Sequence, residues 1–314
     1  MGAIEESCWA LVTVTWLILG ANGQLGKSLS RVLIDRKIDF QPWGSKELDI
    51  TSELLCTERI GVLRPSVIVN VAAWTDVDGA ESNPQAAFEV NHLGAKNIAK
   101  AAKVVRAVFV HVSTDYVFSG TSESPWREDA LRAPVSVYGA SKAAGEVAVL
   151  SEYVERSYIF RTAWLYSQWG KNFVKTMTRL ALLTDGEVRV VADQIGQPTF
   201  ALDLANQIVN SVIAQLPFGI YHGSNSGQGS WFDLAREVFE LSGALSSRVV
   251  PVSSDEFVRP AKRPAYSVLS HDGWKALGSS EFPVSEMRDW RLALSEAMPN
   301  IICSVKAEGL ANGI

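Results

Sequence analysis

An apolar, β-branched run from Val12 to Leu19 passes directly into Gly20-Ala21-Asn22-Gly23-Gln24-Leu25-Gly26, and a helical pattern then runs from Gln24 to about Asp35. Few folds use a glycine-punctuated turn between a buried strand and a helix. The first glycine permits a tight turn, the second lets backbone approach a pyrophosphate, and the third lets helix and strand pack closely. The helix N-terminus then presents unpaired N–H groups and a positive dipole end to phosphate. The spacing here is GxxGxxG rather than GxGxxG. The turn is therefore read as a dinucleotide loop, with Gly20, Asn22, Gly23, Gln24 and Leu25 as cofactor contacts.

The same alternation continues downstream. Strands are expected near Ile38–Trp43, at Val67–Asn70, Val108–Val112 and Tyr158–Arg161. A long helix is expected from Pro84 to about Lys103, with Asn83 as N-cap, and another over Tyr138–Val154. Near-continuous apolar strands alternating with helices imply an α/β fold, a Rossmann-type doubly wound parallel sheet covered on both faces. After Arg161 the pattern loosens into helices near Phe173–Leu183, Leu202–Gln215 and Trp231–Ser242. The last of these opens with a capping box at Ser230–Asp233 and ends before Gly243. The organisation expected is a dinucleotide-binding domain over 12–165 plus about 190–222. A smaller C-terminal α/β substrate lobe takes about 166–189 and 223–299, and a tail of little periodicity takes 300–314.

Composition excludes several classes. A formal net charge of −5 over 314 residues argues against a nucleic-acid partner, which needs a surplus of Lys and Arg. The longest apolar stretch, Cys8–Leu19, is too short for a bilayer helix, and Glu5 and Glu6 stand where a signal peptide carries positive charge. Three scattered cysteines, Cys8, Cys56 and Cys303, form no disulfide framework and suit a reducing, cytoplasmic setting. His92, His111, His222 and His271 have no metal-ligand spacing, so no metal site is expected, and His222 is a weak candidate for approaching a nucleotide.

Tyr138-Gly139-Ala140-Ser141-Lys142 places a tyrosine and a lysine four apart, on one face of a helix. An ammonium near a phenol favours the phenolate and pulls the tyrosine pKa toward the working range. The same lysine can reach a nicotinamide ribose. His111-Val112-Ser113-Thr114-Asp115-Tyr116-Val117-Phe118 ends a parallel strand, where ligands sit in such sheets. Ser113 or Thr114 can there donate to a carbonyl oxygen that becomes an alkoxide, with Tyr138 supplying the proton. Around the second strand's end, Ser45 and Lys46 suit a 2′-phosphate, and Asp49 and Ile50 suit the adenine border. The cofactor expected is accordingly NADPH, with NADH possible.

These motifs resemble the extended short-chain dehydrogenase/reductase superfamily, and within it the dTDP-4-dehydrorhamnose reductase family. The narrower likeness rests on Ser-Thr-Asp-Tyr-Val-Phe at 113–118, Val-Asn-Val-Ala-Ala-Trp-Thr at 69–75 and Val-Asp-Gly-Ala-Glu at 77–81. Arg161–Tyr166, Asp193–Thr199 and Arg263–Ser267 extend it. The resemblance implies transfer of hydride from a reduced nicotinamide to the C4 ketone of a dTDP-4-dehydro sugar. It implies catalytic roles for Thr114, Tyr138 and Lys142, with Thr114 polarising the carbonyl. It implies a sugar pocket lined by Thr114, Asp115, Tyr116, Tyr138 and Trp164 and shaped by Asp193–Thr199. It also implies cofactor contacts at Ala72, Ala73, Ser113, Tyr138 and Lys142, with Asn70 nearby and Asn91 a structural hydrogen-bonder.

Three positions depart from the family pattern. Ser119 replaces an Asp and Trp74 a Tyr, placing a larger ring near the pocket. Gly26-Lys27-Ser28-Leu29 lacks the glutamate that some members use around a dimer-bridging magnesium, so the expectation is a monomer or homodimer without that bridge. Rival readings are a sugar-nucleotide 4,6-dehydratase, a 4-epimerase, or a non-catalytic NADP-binding regulatory subunit of methionine adenosyltransferase. A dehydratase needs Asp-Glu after the Thr, whereas Asp115 is followed by Tyr116, and intact Thr114, Tyr138 and Lys142 favour an enzyme.

Overall fold

The structure, a computed structural model, describes residues 15–277 and 284–311. Its central sheet has six parallel strands: β1 Trp16–Leu19, β2 Phe40–Trp43, β3 Val67–Asn70, β4 Val108–Thr114, β5 Ser157–Thr162 and, far along the chain, Gly219–His222. The last strand is β10, because four short strands intervene: β6 Leu165–Tyr166, β7 Val188–Val191, β8 Ile195–Gly196 and β9 Thr199–Phe200. The sheet order is β10-β5-β4-β3-β1-β2. From β1 the chain winds one way to β2 and the other way to β3, so the switch point lies between β1 and β3. Val12–Val14, the start of the expected first strand, fall outside the described residues.

Strand alternation divides the sheet residues between two cores. Trp16, Ile18, Val69, Val110 and Phe160 face α1 (Gln24–Asp35) and a later helix, Ala201–Ile213. Leu17, Leu19, Ile68, Phe109 and Ile159 face the opposite layer. That layer holds α2 (Glu53–Leu63), α5 (Ala95–Val105) and α6 (Val137–Tyr153), with the short helices α3 (Val77–Ser82) and α4 (Pro84–Phe88) leading into α5.

The helix expected from Pro84 is continuous to Val105, but Glu89–Gly94 is a π-helical segment. Asn83 does not cap it with its side chain. Asn83 Nδ2 instead donates to Gly79 O at 3.0 Å, because α3 ends immediately before and holds that side chain. The π-helical turn lets α6 approach closely. A Cβ on Gly145 would lie 2.3 Å from Asn91 O, so only glycine fits there.

A third core gathers α7 (Phe173–Leu183), α9 (Trp231–Leu241) and α11 (Trp290–Ala311) against β7, with Ala201–Ile213 being α8 and Asp272–Leu277 α10. Here β11 (Gly229–Ser230) pairs with β8, and β12 (Val249–Val252) pairs with β7. The Ser230–Asp233 capping box forms as expected, and Gly243 follows α9 at φ +77°. The expected tail does not hold through 300–311: these residues continue α11, and Ile301 and Val305 are buried in the third core. Pro299 inside α11 and an interrupted apolar stripe hide that helix from a periodicity reading.

Candidate active site

The switch point opens into a cavity of about 1050 Å³ at the C-terminal ends of the strands. Most candidates named from sequence line it: Gly20, Asn22, Gly23, Gln24, Leu25, Asp49, Ile50, Ala72, Ala73, Ser113, Thr114, Asp115, Tyr116, Tyr138, Lys142 and Trp164.

Its floor is the glycine turn. Gly20 has φ +84°, and its N–H and that of Ala21 both donate to Trp43 O, at 2.9 and 3.1 Å. A Cβ on Gly20 would sit 2.6 Å from Ala72 N, and one on Gly26 would sit 2.4 Å from Gly20 O. Neither position accepts a side chain, and the turn folds back on itself as a phosphate cradle requires. Gly23, the N-cap of α1, makes no side-chain cap, so the first N–H groups of α1 face a ligand uncovered. These are the features a dinucleotide needs, and Gly20 to Leu25 would hold its pyrophosphate. Beyond β2, the exposed Asp49 carboxylate accepts from Thr51 N and Oγ1 at 2.9 and 2.8 Å, and Ile50 is buried against Gly94. Ser45 lines the cavity, and Lys46, the next residue, is exposed outside that lining.

The reacting end is built by β4 and α6. Ser136 caps α6 by accepting from Gly139 N at 3.1 Å, and Tyr138, Lys142 and Glu146 then follow on one helix face. A Cβ on Gly139 would lie 2.3 Å from Tyr116 O, so the Tyr-Gly pair lets α6 seat against the loop after β4. The Tyr138 ring packs edge-to-face on Tyr116, with centroids 5.6 Å apart. Lys142 is buried and donates to Val112 O at 2.6 Å.

Electrostatics at this end differ from the expectation. Burial pushes the Tyr138 phenol up to about 12, against a lowering contribution from Thr114. Lys142 is not among the groups that lower it, and desolvation dominates. Burial also lowers Lys142 to about 8, with the Glu146 carboxylate opposing. A tyrosine held protonated is suited to donating a proton rather than to removing one. Thr114 is likewise committed: its hydroxyl donates to Asp115 Oδ1 at 2.9 Å and accepts from Tyr116 N at 3.2 Å. To polarise a carbonyl it must release Asp115, whose carboxyl burial raises to about 6.

The remaining expectations divide. Trp164 stands at φ +44° with its ring parallel to that of Trp231, centroids 3.6 Å apart. Asp193–Thr199 does not line the cavity. Gly196 lies directly behind the Trp164 ring instead, since a Cβ there would meet Trp164 Cε2 at 2.6 Å. Asn91 is structural: it accepts from Trp74 N at 2.9 Å and donates to Trp74 O and Ser141 Oγ. Trp74 is outside the lining, its indole donating to Asp76 O. His222 is buried, with Nδ1 2.9 Å from Ser270 O and its pKa lowered to about 3 by burial, and so does not reach the cavity. Sequence reading missed Trp231, Phe173 and Lys171. Trp231 carried one signal, its place immediately after the Ser230 cap.

Comparison with known proteins agrees with this geometry. Residues 14–302 match the family model described as RmlD substrate binding domain. The chain is 45% identical over 288 residues to the dTDP-4-dehydrorhamnose reductase of Streptomyces griseus, covering 90% of this chain and 93% of that protein. It is 42% identical to the dTDP-4-keto-6-deoxy-D-glucose reductase of Streptomyces niveus, covering 92% and 98%. The crystal structure of dTDP-4-dehydrorhamnose reductase from Bacillus anthracis in complex with NADP matches with a TM-score of 0.86 at 39% identity, over 91% of this chain and 99% of that one. By its matched family model and by relatives of this identity and coverage, the chain belongs to the RmlD substrate binding domain family, that of the dTDP-4-dehydrorhamnose reductases.

Proposed function

We propose that the protein reduces the C4 ketone of dTDP-4-dehydro-L-rhamnose to dTDP-L-rhamnose with NADPH. The observation that carries this reading is the convergence of Tyr138, Lys142 and Thr114 with an open glycine turn in one cavity. When bound, the reduced nicotinamide supplies the hydride. Gly20 to Leu25 hold the pyrophosphate on uncovered N–H groups, and Ala72 and Ala73 border the cofactor from the end of β3. Lys142 stays fixed by Val112 O while its remaining N–H groups serve the ribose. Tyr138 delivers the proton to the C4 oxygen. An alkoxide is a stronger base than a phenolate, so a phenol of raised pKa still donates to it. Thr114 turns its hydroxyl from Asp115 to that oxygen as charge develops.

Supporting the sugar-nucleotide reading are relatives named for dTDP-linked 4-keto sugars at 42–45% identity. The division of labour follows the cores: the central sheet with α8 and β10 carries the cofactor, and the third core carries the sugar side. Among the described residues no helix is long and apolar enough to cross a membrane. The absence of carboxylates in Gly26–Leu29 supports a monomer or a homodimer built without a magnesium bridge.

The test is NADPH consumption on dTDP-4-dehydro-L-rhamnose generated in place. Turnover with formation of dTDP-L-rhamnose is expected, and binding of NADPH without turnover would return the regulatory-subunit reading. A second expectation concerns pH. Because kcat/KM reports ionisations of the free enzyme, it should fall as pH rises above about 8, where Lys142 loses its proton, while Tyr138 stays protonated to about 12. A profile flat through that range contradicts an essential Lys142 ammonium.

A further inference from the structure

The side-chain amide of Gln24 stands between the glycine turn and the third core. Gln24 is the first residue of α1 and lines the cavity. Its Oε1 accepts from Asn172 Nδ2 at 2.9 Å and lies 3.2 Å from Ser167 Oγ. The donor is fixed independently. Asn172 Oδ1 caps α7 by accepting from Lys175 N at 2.9 Å, and Nδ2 also donates to Ser167 O at 2.8 Å, so the atom of Asn172 that faces Gln24 is its nitrogen. Gln24 must answer with oxygen. Its Nε2, with two N–H donors, has no partner among the described residues and stands at the uncovered N-terminus of α1, where an anion is favoured.

The segment that Gln24 holds, 167–172, belongs to the third core. On its far side Gln168 O accepts from Lys175 Nζ at 3.1 Å and from Ser304 Oγ at 3.0 Å, which ties it to α7 and α11. Gly170, at φ +67°, lays its backbone against the Gln24 stem, since a Cβ there would lie 3.3 Å from Gln24 Cγ. The segment runs into Phe173, whose ring packs on Trp231 with centroids 4.7 Å apart, and Trp231 stacks on Trp164. A continuous set of packed groups therefore joins the first turn of α1 to the aromatic wall of the cavity.

We propose that Gln24 is a positioning residue that couples the cofactor turn to this wall. Its Nε2 donates to the cofactor's pyrophosphate, which fixes the amide, and its Oε1 then holds Asn172 and the rings behind it. Bound cofactor thereby steadies the sugar side, and a bound sugar nucleotide steadies the cofactor side by the same factor. The sugar arm of this coupling rests on the reductase reading; the cofactor arm does not.

The experiment is amide hydrogen exchange of the full-length protein with and without saturating NADP+, joined to calorimetric titration. In wild type, NADP+ is expected to slow exchange across 168–173 by about fivefold or more, and to tighten dTDP-L-rhamnose by a similar factor, the lower end of ordinary coupling. Asn172→Ser keeps a good cap for α7 but removes the amide donor. It should still bind NADP+, with neither effect transmitted. Gln24→Glu keeps an acceptor for Asn172 but has no N–H for the pyrophosphate, and should weaken NADP+ about tenfold or more. Equal slowing in wild type and Asn172→Ser, no slowing in wild type with NADP+ bound, or unchanged NADP+ affinity in Gln24→Glu each overturns the coupling. A wild type whose segment slows with NADP+ but which binds no dTDP-L-rhamnose supports the coupling and overturns the reductase reading instead.

Discussion

Tyr138→Phe is expected to lower kcat by about a hundredfold or more, the usual worth of a positioned general acid, with NADPH affinity unchanged. The phenylalanine ring preserves the edge-to-face packing on Tyr116, so the change removes one hydroxyl and little else. Thr114 can hydrogen-bond the C4 oxygen, but an aliphatic hydroxyl is a far weaker acid than a phenol and does not replace it, and Lys142 is held on Val112 O. Single-turnover oxidation of NADPH by the variant measures the effect. A rate near that of wild type places the proton donor elsewhere.

The second large effect falls on stability. Glu146 is wholly buried and binds Arg161 through two hydrogen bonds, at 2.9 and 2.8 Å, and Arg132 through a third at 2.6 Å. Arg161 is itself 1% exposed and also donates to Glu128 O. Removing one partner of such a pair strands the other charge in a medium that cannot solvate it. Glu146→Leu is therefore expected to destabilise the fold by about 3–5 kcal/mol, measured by denaturant unfolding. Burial raises the Glu146 pKa, but Arg161 first and then its other hydrogen-bond partners outweigh that, so the net displacement is below 4.5.

A carboxylate held below its unfolded value contributes stability that is complete above about 4.5 and is lost as pH falls through the folded value. The wild type should thus lose this contribution in acid, while the variant has none to lose. Since Glu146 also supports the charge on Lys142, Glu146→Gln should move the alkaline fall in kcat/KM to lower pH. Unfolding curves that coincide for wild type and Glu146→Leu contradict the buried-pair account.

How far these features could be read from sequence depended on whether local chemistry alone dictates them. The strands were legible because residues such as Leu17, Ile18 and Ile68 are buried on both sheet faces, which demands unbroken apolar runs. The glycine turn was legible because Gly20 and Gly26 meet backbone where a Cβ would stand. The Ser230 cap was legible because a capping box is a four-residue event. By contrast, the π-helical turn at Glu89–Gly94 inserts one residue into a helix whose side-chain pattern scarcely changes, and it accompanies a tertiary contact that local sequence does not display, the close approach of Gly145 to Asn91. The helix through Ile301 and Val305 was missed because its buried stripe is set by packing on α7 and α9.

At the site, residue identities were readable but their states were not. Spacing alone put Tyr138 and Lys142 on one face. It did not show that Val112 O would take the ammonium, or that Asp115 would take the Thr114 hydrogen. Trp231 escaped notice because its meaning comes from Trp164, 67 positions away in the chain, and from the glycine that seats that ring.

The most direct test of the central claim follows the hydride itself. NADPH carrying deuterium at C4 of the nicotinamide, prepared as each diastereomer, is incubated with the enzyme and dTDP-4-dehydro-L-rhamnose, and the sugar is read by NMR. Deuterium from one diastereomer appearing at C4 of the sugar is the result expected. A sugar left unlabelled by both while the enzyme binds NADPH, or a label found at another carbon, would contradict it.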